Sequence, residues 1–317
     1  MTSLPEAPGP HESPLPVGTS LRFDRSLNFA GDDVITGGHP WKVTRLNGAA
    51  MTHLRNWEAS GQVEASTGSL ARTLVDQGYV HPRFVEPLEI SDVDIVIPVF
   101  NDLEGLTKIL PALRGFHVTV VDDGSSIGAQ IEHICRQFEV GYIRRSNNAG
   151  PGAARNTGMA ATTRPFIWFL DADVLPGRLD ASLAMLSPAF HDPRVAAVAP
   201  RICGESASGL FTRFDERFGP LDLGPEIALV VPGGSVSYVP TASLLVRRAA
   251  CGSGFDESLR SAEDVDFVWR LHDAHWLVRY EPSVVMHHRP RTSVRAWLSQ
   301  RSTYGQSGAQ LAQRHPG

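Results

Sequence analysis

Between residues 93 and 200 one pattern repeats: a short apolar run rich in Val and Ile, then a stretch with helical spacing. The runs are VDIVIPVF, HVTVVDD, GYIRR, PFIWFLDAD and VAAVAP, with LEGLTKILPALRG and the residues around IEHICRQF between them. Strands that are apolar throughout need cover on both faces. Alternation with helices supplies it in one mostly parallel sheet with helices above and below. An α/β fold follows, and with it a place for ligands, beyond the carboxyl ends of the strands. Three of these strands end in the most polar motifs of the chain, PVFN, VDDGS and DAD.

FLDADVLP, residues 169–176, sets Asp171 and Asp173 directly behind a core strand. Asn or a single Asp at such a place commonly turns the chain, and a lone DxD is more often a turn than a site. Asn101, the Asp122–Asp123 pair and Asp171 with Asp173, all at one edge of one sheet, point instead to a ligand with positive charge, first of all a divalent metal. NNAGPGAARNTG (147–158) adds a loop in which Gly150 and Gly152 let backbone approach a ligand. The helix after it directs Arg155 and Asn156 to a polar site and packs through Ala153 and Ala154. Its spacing fits neither a P-loop nor a dinucleotide fingerprint. SAEDVDFVWRL (261–271) reads as a helix with an acidic first turn, stabilising in its own right, and equally as the source of a general base. VVMHHRPRT ends a strand with His287 and His288, a pair that suits a metal beside carboxylates.

The flanks read differently. Residues 1–18, rich in Pro, Gly and Ser, form a disordered leader with no apolar core of a signal peptide. Residues 19–85 combine strand-like LRFDRSLNF and PWKVTRLN with two helices. NGAAMTHLRNWEAS has Ala50, Leu54 and Trp57 on one face, and STGSLARTLVDQGYV opens at Ser66 or Thr67 and closes at Gly78. This is a small winged-helix-like α+β module, followed by HPRFVEPLEISD as a linker. Net charge is -5, which excludes a global field for nucleic acid. Three scattered cysteines, Cys135, Cys203 and Cys251, fit a reducing, cytoplasmic setting without disulfides or a zinc site. No window reaches about 18 apolar residues, the length needed to span a bilayer.

PVFN, VVDDGS, NNAGPGAARNTG, FLDADV, GFDESL and AEDVDFVWRL occur in the order found in family 2 glycosyltransferases of the GT-A fold, and residues 92–290 resemble that family. The resemblance implies a Rossmann-like nucleotide-diphospho-sugar transferase domain and inverting transfer from a UDP-sugar, assisted by Mg²⁺ or Mn²⁺. It implies Pro98 and Phe100 as walls of the base pocket, Asp123 on the uracil with Asp122 beside it, and Asn101, Asn148 and Arg155 near the donor. Asp171 then contacts ribose or sugar, Asp173 holds the metal, Asp264 is the catalytic base, and His287 completes the metal site with His288 its rival. KVTRLNGAA and LARTLVDQGYVHP are similar to PqqD-like peptide-recognition domains. Fusion of the two resembles the glycosyltransferases of mycofactocin biosynthesis. That implies a peptide-derived acceptor bound partly by residues 19–85 and several β-1,4-linked glucose units from UDP-glucose. A polysaccharide or lipid acceptor is the alternative within enzymes, and a catalytically inactive peptide-binding adaptor the alternative outside them. Residues 291–317 read as a helical segment in which Trp297, Gln300 and Arg301 stand in the wrong order for the QxxRW motif of processive synthases. Relatives of this type continue into apolar segments, so peripheral association with the inner face of the membrane is part of the expectation.

Overall fold

The computed structural model of the chain describes residues 5–8, 13–59, 61–205, 219, 221–289 and 311–315. Strands β1 (Ser20–Phe23), β2 (Asn28–Phe29), β3 (Val34–Gly37) and β4 (Lys42–Arg45) come first, and β2, β3 and β4 form a three-stranded antiparallel sheet. Helix α1 (Gly48–Glu58) starts where the Asn47 side chain accepts the Ala50 N–H at 2.8 Å. Its buried face is Met51, Leu54 and Trp57; Met51 takes the place expected of Ala50 because it carries more apolar surface to bury. Helix α2 (Gly68–Asp76) follows, and after Gly78, at φ 71°, β5 (Val80–Arg83) returns to pair with β1. Residues 81–83, expected to lie in a linker, therefore belong to a strand.

The leader departs further from expectation. Leu15 is buried, its N–H donates to the Gly68 carbonyl, and the Ser13 carbonyl accepts from the Arg72 guanidinium at 2.8 Å. One apolar residue and a few backbone groups suffice to hold a Pro-rich segment when a neighbouring helix offers partners.

The large sheet begins with β6 (Val93–Val99), after which come α3 (Leu103–Ile109), β7 (His117–Asp122), α4 (Gly128–Gln137), β8 (Gly141–Arg144), α5 (Pro151–Ala161) and β9 (Phe166–Leu170). Strands β8, β7, β6 and β9 lie side by side and parallel, so Val99, Asp122 and Leu170 end at one edge. Helix α5 lies close on this sheet through Gly158, where a Cβ would come within 2.3 Å of Val96 Cγ1. Then follow β10 (Val174–Leu175), α6 (Leu179–Leu186), β11 (Val195–Gly204), β12 (Ala228–Val230), β13 (Ser243–Arg247), α7 (Glu263–Asp273) and β14 (Leu277–His288). Here the sheet stops being parallel. β13 inserts antiparallel between β9 and β11, and β11 pairs parallel with β14. SLLVR, a buried run, makes that insertion, and Trp168 Nε1 donates to Ser243 Oγ across it at 3.0 Å. The α/β reading holds, with a mixed rather than a nearly parallel sheet. Among the described residues, no helix is long and apolar enough to cross a membrane. The segment 291–317, with Trp297, Gln300 and Arg301, lies almost wholly outside the described residues.

Candidate active site

The three polar strand ends meet, but their acids divide the work. Asp122 is the last residue of β7 and fully buried. Its carboxylate accepts from Ser125 N–H at 2.8 Å, Tyr142 Oη at 2.9 Å and Arg144 at 2.7 Å. It fixes the DDGS turn and does not line the cavity described below. Asp123 points the other way. It accepts the N–H groups of Ala149 and Gly150, the latter at 2.7 Å, and forms an ion pair with Arg145 at 2.9 Å. Thus Asp123 ties the glycine loop to the strand end. Gly150, at φ 98°, is the N-cap of α5, a conformation that L side chains rarely adopt.

Asn101 adopts φ 55° and accepts from the Ser126 N–H at 2.9 Å, bridging the ends of β6 and β7. It braces the loops rather than facing the cavity. Asn156, expected at the polar site, instead pins the GFDESL loop, donating to the Phe255 carbonyl and accepting from its N–H, both at 2.8 Å.

Arg155 is almost wholly buried and donates to Asp171 at 2.6 Å and to Glu263 at 2.8 Å, with its guanidinium 5.6 Å from the centre of the Phe255 ring. One arginine thereby joins the end of β9 to the start of α7, where Asp264 follows Glu263. The DAD segment is held on both sides, since Asp171 N–H donates to the Ala242 carbonyl and the Asp173 carbonyl accepts from Arg289 N–H. β10 pairs with the end of β14, Val174 opposite His288 and Leu175 opposite His287. Alternating side chains along a strand face opposite ways. His288 therefore meets Asp173 at 3.0 Å while His287 is exposed. Of the two candidate imidazoles, His288 is the one that meets the DAD acids.

A cavity of about 400 Å³ opens over these ends, walled by Pro98, Phe100, Asp123, Asn148, Asp171 and Asp173 among others. Among the described residues, that wall does not include Asn101, Asp122, Arg155, Asp264 or His287. It does include two charged residues that sequence reasoning missed, Asp102 and Arg260. Arg260 donates to Asn148 Oδ1 at 2.9 Å, closing the loop over the cavity. Asp102 caps α3 and takes both oxygens' worth of contact from Arg289, at 2.8 and 2.9 Å. The signal available for Arg260 was its place at the end of GFDESLR, just before the acidic turn; Arg289 stood beside His288 in plain view.

Electrostatically the cluster is short of positive charge. Burial, with Asp173 nearby, raises the Asp171 pKa against the pull of Arg155. Burial also disfavours the charged form of Asp173, but His288 and Arg289 outweigh it and its pKa is lowered. Burial and neighbouring Glu263 push Asp264 up to about 7, with Arg155 opposing. Among the described residues, no group of three or more His, Cys, Asp or Glu side chains could hold a metal ion alone. Asp173 and His288, with Asp171 close by, supply oxygen and imidazole donors that suit Mg²⁺ or Mn²⁺ completed by substrate phosphates and water. The donor set fits a metal that arrives with a diphosphate.

Residues 94–252 match the family described as Glycosyl transferase family 2, about half of the chain. The chain belongs to that family. It is 40% identical over 307 residues to the pre-mycofactocin glycosyltransferase of Mycobacterium tuberculosis, a match that covers 95% of this chain and 65% of that relative. The chain thus spans somewhat under two thirds of the relative's length, and the match takes in most of the residues that precede the family 2 domain. Glycosyltransferase AglE of Haloferax volcanii is 34% identical over 96 residues, 26% of this chain and 31% of its own. The crystal structure of S. aureus TarS 1-349 in complex with UDP-GlcNAc superposes with a TM-score of 0.50 at 19% identity, covering 64% of this chain and 59% of that one. At that identity the likeness speaks for the fold, a GT-A-type α/β domain. Every residue of the cavity wall named above except Arg260 lies within the matched family 2 segment, and Arg260 follows it closely.

Proposed function

We propose that this chain is an inverting hexosyltransferase that moves glucose from UDP-glucose, with Mg²⁺ or Mn²⁺ at the diphosphate, onto a peptide-derived redox cofactor of the mycofactocin type, in several β-1,4-linked units. The observation that carries the reading is the convergence at the strand ends: Asp123, Asp171 and Asp173 line one cavity, and Asp264 lies within electrostatic reach of Asp171 and Arg155 with its pKa near 7. The 40% identity to a pre-mycofactocin glycosyltransferase supports the acceptor, with residues 19–85 contributing to its recognition. The work is done in the cytoplasm, at the inner face of the membrane.

In this reading Pro98 and Phe100 flank the base, Asp123 and Asn148 orient the nucleoside, and Asp171, held by Arg155, contacts ribose or sugar. Asp173 and His288 would hold the metal, which when bound would neutralise charge on the departing diphosphate. Asp264 takes the proton of the acceptor hydroxyl as that oxygen bonds to the anomeric carbon. The bond from that carbon to the diphosphate breaks, its electron pair leaves with UDP, and attack from the far face inverts the centre with no covalent intermediate. A carboxyl group with a pKa near 7 is poised for this task at neutral pH.

Thermal-shift titration with UDP-, GDP- and dTDP-sugars, each with Mn²⁺ and with EDTA, tests the donor site. The expected result is stabilisation by UDP-glucose that requires metal and is lost in Asp173→Ala and in His288→Ala but kept in His287→Ala. Absence of a response to every donor overturns the reading.

A further inference from the structure

The unit formed by residues 13–84 meets the family 2 domain along a seam, and the seam holds a cavity of about 260 Å³. Its apolar wall comes from both sides, Phe84 from the first unit and Leu186 and Tyr280 from the second. Three arginines line it. Arg22 and Arg83 are exposed, whereas Arg279, on β14, is 5% exposed. One carboxylate, Glu281, also lines it, and its Oε1 already accepts from Ser283 Oγ at 2.6 Å and Ser283 N–H at 3.2 Å.

Arg279 is the unusual member. Its Nη1 donates to His81 Nδ1 at 3.0 Å, and its Nη2 is buried with no hydrogen-bond partner. His81 is itself buried and contacts Asp24 through Nε2 at 2.8 Å, so Nδ1 is the ring nitrogen that accepts. The acids elsewhere in the seam have other partners: Asp192 has Arg72, Asp76 has Arg72 and Arg194, and Asp24 has His39 and His81. Burial pulls the Arg279 pKa down to about 10, against Asp192 and together with Arg72. Buried polar groups in folded proteins almost always find partners, and one left over in a cavity wall calls for a partner from outside.

We propose that this seam cavity is a second ligand site, which takes an oxyanion, carboxylate or phosphate, carried on an apolar body about the size of one amino-acid residue. Arg279 meets the oxyanion at the inner wall, Arg22 and Arg83 attract it at the rim, and Phe84, Leu186 and Tyr280 cover the apolar body. The site is separate from the cleft described above. Arg279 lies opposite Val198 and His288 opposite Gly204 on β11, six positions apart, roughly 20 Å at about 3.3 Å per residue. Because the wall draws on both units, a ligand here also bears on how firmly the first unit is held to the second.

The test is a ligand-observed NMR titration of the full chain with three probes: N-acetyl-L-phenylalanine, phenyl phosphate and the uncharged N-acetyl-L-phenylalanine amide. At least one anion is expected to bind about tenfold or more tightly than the amide, as a charge-assisted pair with a buried guanidinium should. The tighter of the two anions identifies the oxyanion. Arg279→Gln is expected to weaken that anion about tenfold. Arg83→Gln, at an exposed position where the fold is not at stake, should weaken it about threefold with an unchanged Tm. Binding of the amide as tight as that of both anions, no binding of either anion, or anion binding that Arg83→Gln leaves untouched would each overturn the proposal.

Discussion

The seam and the cleft both bury charge, and they balance it differently. In the seam, Arg72 is 1% exposed and grips Asp192, itself fully buried, with two bonds of 2.8 and 2.9 Å. Arg194 donates to the His275 carbonyl and pairs with Asp76, while His39 and His81 both contact Asp24. Carboxylates there meet a matching number of cationic or donor groups. In the cleft, Asp171 and Glu263 share one buried arginine, Arg155, with Asp264 close by, while Asp173 has His288 and Arg289 beside it. Paired buried charge is a way of holding two surfaces in register. Unpaired buried charge destabilises the fold, and persists where a ligand completes it. The difference teaches how to tell a structural acid from a functional one in this molecule, by counting what each lacks.

Asp264→Asn is the sharpest way to probe the cleft. On the role proposed for Asp264 as general base, the substitution is expected to lower kcat about 10²- to 10⁴-fold, with donor affinity nearly unchanged. In the parent that proposed role makes kcat/KM rise with pH up to about 7 as Asp264 loses its proton, and the variant should lack that rise. Stability carries the opposite signature. The folded pKa of about 7 lies above the unfolded value of about 4, so the protonated carboxyl favours the fold at low pH and that advantage disappears as pH rises from about 4 to 7. At pH 8 the variant should therefore melt above the parent. Asp24 in the seam runs the other way: burial opposes its charge, but His39 and His81 overcome this and hold its pKa far below the usual range. Its contribution is present above about pH 4 and is lost on acidification below that.

Arg72→Ala breaks the seam. It leaves Asp192 buried without its partner, which should destabilise the chain by about 3–5 kcal/mol in urea unfolding. Asp171→Asn in the cleft provides the contrast: stability within about 1 kcal/mol of the parent, since an acid leaves an acid-rich cluster, but transfer largely lost. If both substitutions destabilise equally, the distinction between the two regions fails. The same pairing explains why deletion of residues 1–85 is a poor test of acceptor recognition: it unpairs Asp192 and so confounds loss of binding with loss of fold.

What could be read from sequence follows the same division. Runs such as FIWFL followed by DAD state both a core strand and a polar end, and the sheet does bring PVFN, VDDGS and DAD to one edge. What could not be read is which of two adjacent residues faces the cavity. Asp122 and Asp123, like His287 and His288, differ by one position, and a shift of one residue in register exchanges the faces. Only the pairing of β10 with β14 and the contacts of Asp122 with Tyr142 and Arg144 decide, and both come from residues distant in sequence. The antiparallel entry of β13 and the seam arginines escape sequence reading for the same reason. Nothing local to SLLVR or to Arg279 announces its partner.

Smaller effects test how closely the cleft's support is built. Gly158→Ala places a methyl within 2.3 Å of Val96 Cγ1 on the strand that ends at the cavity, so α5 must shift. Overpacking of this kind should cost about 1–3 kcal/mol, measured by the urea midpoint, and should reduce transfer by displacing Arg155 and its hold on Asp171.

Arg260→Gln should have the mildest consequence. Arg260 is exposed, sits on the cavity wall and braces Asn148 through Oδ1. An exposed charge contributes little to stability, so Tm should stay within a degree or two of the parent at about 0.5 kcal/mol or less. If the cavity receives a diphosphate, loss of this cation should instead raise the donor KM about three- to tenfold, with kcat nearly unchanged, and the effect should shrink as salt rises. A variant with an unchanged KM at low salt would confine Arg260 to bracing the loop. The cavity would then rely for positive charge on what the donor brings with it, which returns the weight of the argument to Asp173 and His288.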